Sequence, residues 1–240
     1  MNGRFTKFLV TGALASATMF GTTTTTLNIT SGGGPEPYTA TVGGVPGVQV
    51  VCDDDYDAYT KGIVYDVQTL ADLNATGSTS YQQTLYGPLL GSQSVATKLY
   101  DEVAYLTLQF STYKATSQIS AIQGAIWDLF YQFDPTTTLN GGKPPVTIGT
   151  GTTTSDVYYW YNAAKTETTV TPTSAIDKYI EILTPTCTSG GKTVTCVAGG
   201  PAASQEFILV ATPEPATYAM FGFGLILLSL GTFRRRKANR

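Results

Sequence analysis

The sequence contains no histidine, and only 13% of its residues are charged. Histidine is the commonest general base and a common metal ligand, so its absence removes the side chain on which many hydrolytic and metal sites depend. The chain also has no serine in a nucleophile-elbow motif and no convincing pair of catalytic carboxylates. We therefore expect a protein that is not an enzyme and that uses neither a cofactor nor a metal.

Positive charge is scarce as well, because 14 lysines and arginines stand against 17 acidic residues and give a formal net charge of −3. No basic cluster precedes the C-terminal tail, so nucleic acid is not expected as a partner. Hydrophobic residues make up 42% of the chain, and 25 glycines and 15 tyrosines stand out. This composition favours a β-rich protein outside the cytoplasm over a charged cytosolic enzyme.

The N-terminus predicts a secretory signal peptide followed by a linker. The basic residues Arg4 and Lys7 precede an apolar run at 8–20, which is too short to span a bilayer, and we assign residues 1–21 to the signal. Residues 22–37 begin with five consecutive threonines and end in a Gly-rich and Pro-rich stretch. We predict a linker there, because the segment has too little apolar surface to order itself.

The C-terminal end has three parts in a fixed order. Pro213, Glu214 and Pro215 precede an apolar segment at 218–233, and a cluster of basic residues follows at 234–237. The positive-inside rule places that basic end in the cytoplasm. The arrangement resembles the PEP-CTERM sorting signal of exported bacterial proteins, and an ordinary C-terminal membrane anchor is the alternative.

The PEP-CTERM resemblance implies a route for the protein. An exosortase-type processing enzyme would recognise the chain and cleave it near the Pro-Glu-Pro motif. The protein would cross the inner membrane, remain there transiently through its C-terminal hydrophobic helix, and end at the cell surface or in an exopolysaccharide-rich extracellular matrix. We assign residues 212–240 to this sorting and transmembrane segment.

The centre of the chain predicts an amphipathic helix with a glutamine on its apolar side. Apolar residues recur at helical spacing at Ile119, Ile122, Ile126, Leu129, Phe130 and Phe133. Gln123 falls inside their arc. A buried amide without hydrogen-bond partners costs about 1–3 kcal/mol, so this side chain needs an explanation. One interpretation is an amide at the edge of the core that bonds to a neighbouring loop.

A second interpretation of Gln123 depends on Cys52. The β-branched run before Cys52 predicts a buried strand that ends at the cysteine. The Gln-Gly-Ala-Ile-Trp sequence at 123–127 resembles the TQxAIW motif in the thioester domains of bacterial surface adhesins, with Ile122 in place of the usual threonine. The resemblance covers residues 48–135.

The thioester resemblance implies a stored acyl group. In such domains the thiolate of a cysteine at a strand end attacks the side-chain carbonyl of a helical glutamine, and ammonia leaves. Cys52 and Gln123 would hold this bond until an amine or a hydroxyl of a surface partner, or of an extracellular polysaccharide, takes over the acyl group.

The other two cysteines, Cys187 and Cys196, flank a Gly-Gly pair that predicts the tip of a hairpin. In an oxidising compartment we expect them to form a disulfide, which constrains the unfolded chain by about 2–3 kcal/mol on the loop-entropy model. Cys52 is then the odd cysteine. A thioester, a bond to another molecule and a buried inert thiol are the three explanations for it.

Three aspartates at alternate positions follow the Cys52 strand, namely Asp53, Asp55 and Asp57. The pattern lacks both the glycine and the final acidic residue of an EF-hand loop. We therefore favour a solvated acidic turn over a calcium site at this position.

For the fold we predict the α+β class, with a mainly antiparallel sheet or sandwich, two central packed helices, the N-terminal signal and the C-terminal hydrophobic helix. Ser94 is the predicted N-cap of the first central helix, and the second contains the glutamine. The apolar face of the first helix consists of Val95, Leu99, Val103, Leu106 and Phe110. Strands follow at 179–183 and 206–210. Residues 38–211 form this thioester-like domain, and the loop at 135–154 is the boundary if the domain divides in two.

Two hypotheses for the function fit these observations. The first is an exported cell-surface or matrix protein that attaches covalently through Cys52 and Gln123. The second is a structural or carbohydrate-binding matrix module of the same fold without the thioester, which the aromatic content of 11% favours.

Overall fold

The computed structural model describes residues 23–33, 36–53, 59–131, 151–170, 177–189, 192–196 and 204–210. Within these ranges the chain forms seven strands: β1 (Thr23–Gly33), β2 (Glu36–Val42), β3 (Val45–Cys52), β4 (Val64–Thr69), β5 (Ile180–Ser189), β6 (Lys192–Thr195) and β7 (Phe207–Val210). The same ranges contain five α-helices: α1 (Leu70–Asn74), α2 (Gly87–Leu90), α3 (Gln93–Gln109), α4 (Thr116–Tyr131) and α5 (Val157–Val170). The expected signal at 1–21 and sorting segment at 212–240 lie outside the described residues.

The strands form one antiparallel sheet that closes on itself. Their order is β4-β1-β2-β3-β7-β5-β6, and β4 also pairs with β5, so six strands make a ring and β6 extends the C-terminal half of β5. Closure leaves no free hydrogen-bonding edge between the ring strands. The predicted antiparallel sheet is therefore confirmed, but it is a single closed sheet and not a two-sheet sandwich.

Alternate residues of the ring strands point inward and form one apolar cluster. Val50 and Cys52 of β3 belong to this cluster, whereas Val51 between them packs against the helices. On β7, Phe207 faces inward in the same way. Trp127 of α4 also belongs to the inner cluster, so this helix contacts the interior of the ring.

The helices cover the outer face of β3, β5 and β7. Val51, Ile182 and Ile208 of these strands pack with buried residues of α3, α4 and α5 in a second core. Within this core the rings of Tyr100 on α3 and Phe130 on α4 meet edge to face, with centroids 5.5 Å apart. The two predicted helices are thus central, and α5 joins them.

Helix α3 begins after an N-cap at Ser92, whose hydroxyl accepts a hydrogen bond from the backbone N–H of Val95 at 3.4 Å. The sequence predicted the cap at Ser94, which instead lies inside the helix. Ser92 is the cap because its backbone is extended, with φ −153° and ψ 152°, as a capping residue requires. The predicted apolar face is buried at Leu99, Val103, Leu106 and Phe110, whereas Val95 is exposed.

The predicted linker at 22–37 is wrong over most of its length, because Thr23–Gly33 form strand β1. This strand pairs with β4 on one side and β2 on the other, and Leu27 and Ile29 supply its inward-facing apolar residues. Threonine is β-branched and suits a strand with neighbours on both sides. Composition alone underestimates such a segment, since its order comes from the strands that flank it.

The loop predicted at 135–154 lies mostly outside the described residues. Strands from both sides of it share the sheet, since β5 pairs with β4 and β7 pairs with β3. Among the described helices, none is both long enough and apolar enough to cross a membrane. The apolar segment predicted as a transmembrane helix, 218–233, lies outside the residues that the structure describes.

Candidate functional site

Cys52 is the last residue of β3, where it stands opposite Phe207 of β7. The period-2 alternation of the strand turns its side chain into the inner cluster, which also contains Trp127. Only 1% of Cys52 is exposed to solvent. A thiol at this position is therefore shielded from water.

Gln123 lies in the middle of α4 and is 0% exposed. Its Nε2 donates a hydrogen bond of 2.7 Å to the backbone carbonyl oxygen of Cys52, which is 71 positions away in the sequence. Gln123 and Trp127 are one helical turn apart, so both project from the side of α4 that faces the ring. The structure thus brings together the two residues that the sequence singled out.

The two polar atoms of the Gln123 carboxamide have different surroundings. Nε2 is bonded to Cys52, whereas Oε1 is buried and has no hydrogen-bond donor among the described residues. The hydrogen bond holds the carboxamide carbon beside the cysteine. This hydrogen bond joins the amide to the Cys52 backbone, whereas an acyl transfer requires the amide carbon to lie beside the Cys52 sulfur.

Two buried carboxylates stand next to the Cys52–Gln123 pair. Asp53 follows Cys52 directly and is fully buried, and its backbone N–H approaches the carbonyl oxygen of Glu206 at 3.5 Å. Asp53 is therefore not part of a solvated acidic turn. The prediction of such a turn fails here because the pairing of β3 with β7 carries this residue into the core, and Asp55 and Asp57 lie outside the described residues.

The Glu206 carboxylate is buried and accepts three hydrogen bonds. Its donors are the backbone N–H of Leu85 at 2.7 Å, the hydroxyl of Tyr100 at 2.6 Å and the hydroxyl of Thr184. Three donors make a buried charge tolerable, since charge-assisted bonds are stronger than neutral ones. Glu206 thereby connects β7, β5, α3 and the loop before α2 at the edge of the candidate site.

The charges of this region act on Tyr100. Burial, followed by the carboxylates of Glu206 and Asp53, raises the pKa of Tyr100 well above its ordinary value. Tyr100 therefore stays protonated at neutral pH and remains a hydrogen-bond donor to Glu206. Among the described residues, no group of three or more His, Cys, Asp or Glu is placed to hold a metal ion.

Sequence reasoning missed Glu206. In the sequence it is the polar first residue of the strand predicted at 206–210, which is an ordinary place for a solvent-exposed glutamate. The apolar run after Glu206 is a signal for its burial, because a strand that is buried on both faces leaves no exposed side for its first residue.

The same reasoning missed Asp128, five positions after Gln123 on α4. It is 3% exposed, and neither of its carboxylate oxygens has a hydrogen-bond partner among the described residues. Burial raises the pKa of Asp128 to about 7. A carboxyl that is partly protonated near neutral pH therefore lies on the same helix as Gln123.

The predicted disulfide is present. Cys187 and Cys196 are bonded across the β5–β6 hairpin, with their Cα atoms 5.1 Å apart. Cys52 lies outside this bond, as the sequence predicted. The Gly-Gly tip of the hairpin lies outside the described residues.

Comparison with known proteins matches one segment of the chain. Residues 211–237 match the family model of the PEP-CTERM protein-sorting motif, and Pro213, Glu214 and Pro215 lie inside the matched segment. Comparisons with curated proteins and with solved structures gave no match. The protein therefore carries a PEP-CTERM signal, which marks it as an exported protein that the exosortase system recognises and processes at its C-terminus.

Proposed function

We propose that this exported protein forms an internal thioester between Cys52 and Gln123 and uses it to attach covalently to a partner at the cell surface or in the extracellular matrix. The observation that carries the proposal is the 2.7 Å hydrogen bond from the Gln123 carboxamide to the Cys52 backbone. Both residues are almost completely buried, at 0% and 1% exposure.

Formation of the thioester releases one molecule of ammonia and keeps all other atoms in the protein. The Cys52 thiol gives up its proton, Sγ attacks Cδ of Gln123, and the Cδ–Nε2 bond breaks. The nitrogen leaves as ammonia with the thiol proton, and Oε1 becomes the carbonyl oxygen of the thioester. A partner amine then attacks Cδ, the Cδ–Sγ bond breaks as the amide bond forms, and one proton of the amine goes to the Cys52 sulfur. A partner hydroxyl gives an ester in the same way.

Burial of the pair supports storage of such a bond. A thioester in contact with water hydrolyses, so an acyl donor that must last until a partner arrives needs a dry site. The inner cluster around Cys52 supplies apolar walls from Trp127 and Phe207. The hydrogen bond fixes the carboxamide before the reaction, which reduces the entropic cost of bringing the two groups together.

Intact mass of the secreted protein tests the proposal. We expect a mass that is lower than the sequence predicts by one ammonia, after allowance for the Cys187–Cys196 disulfide. Methylamine should then add to Gln123 and release the Cys52 thiol. A full mass with a Cys52 thiol that reacts after unfolding, in protein that methylamine leaves unchanged, would contradict the thioester.

A structural or carbohydrate-binding module without the thioester is the second candidate. It is favoured by the fact that the Gln123 amide already has a backbone acceptor, as a merely structural buried amide has. The aromatic residues of α5 give this candidate less support, because Trp160 is buried in the core and donates to the carbonyl of Thr154, while Tyr158 is exposed. The same mass measurement separates the two candidates.

A further inference from the structure

A polar cluster on the helical side of the protein stands apart from the Cys52–Gln123 pair. Its members are Asn74 at the end of α1, Asp101 in α3, and Asp177 in the 3₁₀ turn Asp177–Tyr179 that precedes β5. The Asn74 Nδ2 donates to Asp101 Oδ1 at 3.2 Å and to Asp177 Oδ2 at 2.9 Å. One neutral amide thus separates two carboxylates that come from different elements.

The cluster leaves two buried acceptor oxygens without a donor. Asp177 is only 5% exposed, and its carboxylate points toward Asn74, yet its Oδ1 has no hydrogen-bond partner among the described residues. The Oδ1 of Asn74 is also buried and also has no hydrogen-bond partner among these residues. Buried acceptors are normally satisfied, because loss of hydration without a replacement is costly. The unpartnered Asp177 Oδ1, on a carboxylate that faces Asn74 and Asp101, indicates that a positively charged partner belongs in this cluster.

A surface cleft of about 440 Å³ gives access to this cluster. Asn74 and Asp101 line the cleft together with Gln93, Thr97 and Lys98. Lys98 is the positively charged residue of this lining, and its Nζ forms an ion pair with Glu102 Oε1 at 3.9 Å. The cleft therefore leads from solvent to Asn74 and Asp101, and Asp177 lies behind the Asn74 amide that donates to it.

We propose that Asn74, Asp101 and Asp177 form a Ca²⁺ site. Calcium takes six to eight oxygen ligands, and carboxylates, asparagine carbonyls and water are its usual ones. Two carboxylates and one amide oxygen come from the protein, and the open cleft supplies water molecules for the remaining positions. Magnesium fits less well, because it demands near-octahedral geometry and loses its water reluctantly.

Ion binding would turn the Asn74 carboxamide around. Without the ion, Nδ2 faces the carboxylates as a donor; with the ion, a half rotation of the amide places Oδ1 between them as a third ligand. The ion would then connect α1, α3 and the turn before β5. With two carboxylates and one neutral oxygen, the dissociation constant is expected in the range of about 10⁻⁴–10⁻³ M that is typical of extracellular calcium modules.

Thermal unfolding of the chelator-treated secreted protein with added CaCl₂ tests the site. At about 10 mM Ca²⁺ we expect the Tm to rise by roughly 3–6 °C, and the same concentration of Mg²⁺ should give a smaller rise. In Asp177→Asn the rise should be lost. Asp66→Asn is the matched control, since the Asp66 carboxylate on β4 accepts a hydrogen bond from the Thr195 hydroxyl outside the cluster. The Tm of this variant should rise with Ca²⁺ as the wild-type Tm does.

Two further measurements make the result decisive. In ¹⁵N-labelled protein, Ca²⁺ should shift the side-chain amide signals of Asn74, which a non-specific salt effect would not do. Asp101→Asn serves in place of Asp177→Asn if the latter does not fold. The proposal is overturned if Ca²⁺ leaves the Tm unchanged, which would indicate that water fills the cluster, or if the Asp177 and Asp101 variants keep the full rise.

Discussion

The hydroxyl of Tyr100 donates a 2.6 Å hydrogen bond to the buried carboxylate of Glu206, across 106 positions of sequence. The same carboxylate accepts hydrogen bonds from the backbone N–H of Leu85 and from the hydroxyl of Thr184. Every one of these groups donates to Glu206, so the arrangement depends on a side chain that accepts hydrogen bonds at both of its oxygens. It stabilises the end of β7 that stands beside Cys52.

Glu206→Gln should destabilise the fold by about 2–4 kcal/mol. The new amide keeps one oxygen but adds N–H donors that face existing donors, and the Leu85 N–H cannot rotate to become an acceptor. Urea unfolding measures the loss. The control is Glu36→Gln, because Glu36 is exposed on β2 and its change should stay within about 0.5 kcal/mol. Equal stability of the two variants would show that Glu206 contributes little.

Asp128 gives the protein a predicted pH dependence. Burial raises the pKa of Asp128 from 3.8 to about 7, so the folded protein holds this proton more tightly than the unfolded chain does. The stabilisation that comes from this bound proton is therefore fully present below about pH 4, and it is lost as the pH rises through about 7.

Asp128→Asn should abolish this dependence and be more stable than the wild type by roughly 2–4 kcal/mol at about pH 8. Unfolding free energies measured by urea at several pH values check the prediction. Asp66→Asn is the control and should follow the wild-type curve. If Asp128→Asn is less stable than the wild type at alkaline pH, the ionised carboxylate has a stabilising partner and the prediction is wrong.

The two central helices and the strands at Cys52, 179–183 and 206–210 could be predicted from the sequence pattern, because their residues report directly on a buried face. The apolar recurrence around Gln123 predicted α4, and the structure buries this residue completely. Likewise, Cys52 was expected at a strand end and is the last residue of β3. Both features depend on neighbours within a few positions, and a sequence records those well.

Features that depend on distant neighbours were missed. Strand β1 is ordered by β2 and β4, and the Glu206 carboxylate is satisfied by donors 106 and 121 positions away. No local pattern encodes such partners. The contact between Gln123 and Cys52 spans 71 positions, and it was anticipated only because a motif resembled one in which the pairing is known.

The sorting signal predicts a change of location when its motif is altered. The double variant Pro213→Ala and Pro215→Ala should escape processing and stay in the inner membrane with its C-terminal tail intact. Cell fractionation and mass spectrometry of the C-terminus measure this. The chain offers a matched control, since Pro35 and Pro37 flank a glutamate in the same way but no apolar segment follows them. Alanine at those two positions should leave export unchanged, and normal release of the Pro213 and Pro215 variant would exclude the motif as the recognition element.

The last prediction concerns Cys52 and Gln123 as one unit. Cys52→Ala should fold with a modest loss of about 1 kcal/mol, because the cavity that it leaves is small. Gln123→Glu should also fold, although a carboxylate is a far poorer acceptor for a thiolate than an amide in an organised site. Both variants should lose covalent capture of a partner completely and to the same extent, since neither residue can form the bond alone.

The matched control for this pair is Gln118→Glu, the same substitution on the same helix. Gln118 lies near the start of α4, where its amide donates to the Thr154 hydroxyl, away from the ring interior. This variant should retain both the ammonia loss and the capture of methylamine. Capture is measured as a band that resists boiling in denaturant and as a methylamine adduct located by peptide mapping. If capture survives in Cys52→Ala or in Gln123→Glu, the attachment does not pass through a thioester, and the matrix module without this bond becomes the better account of the fold.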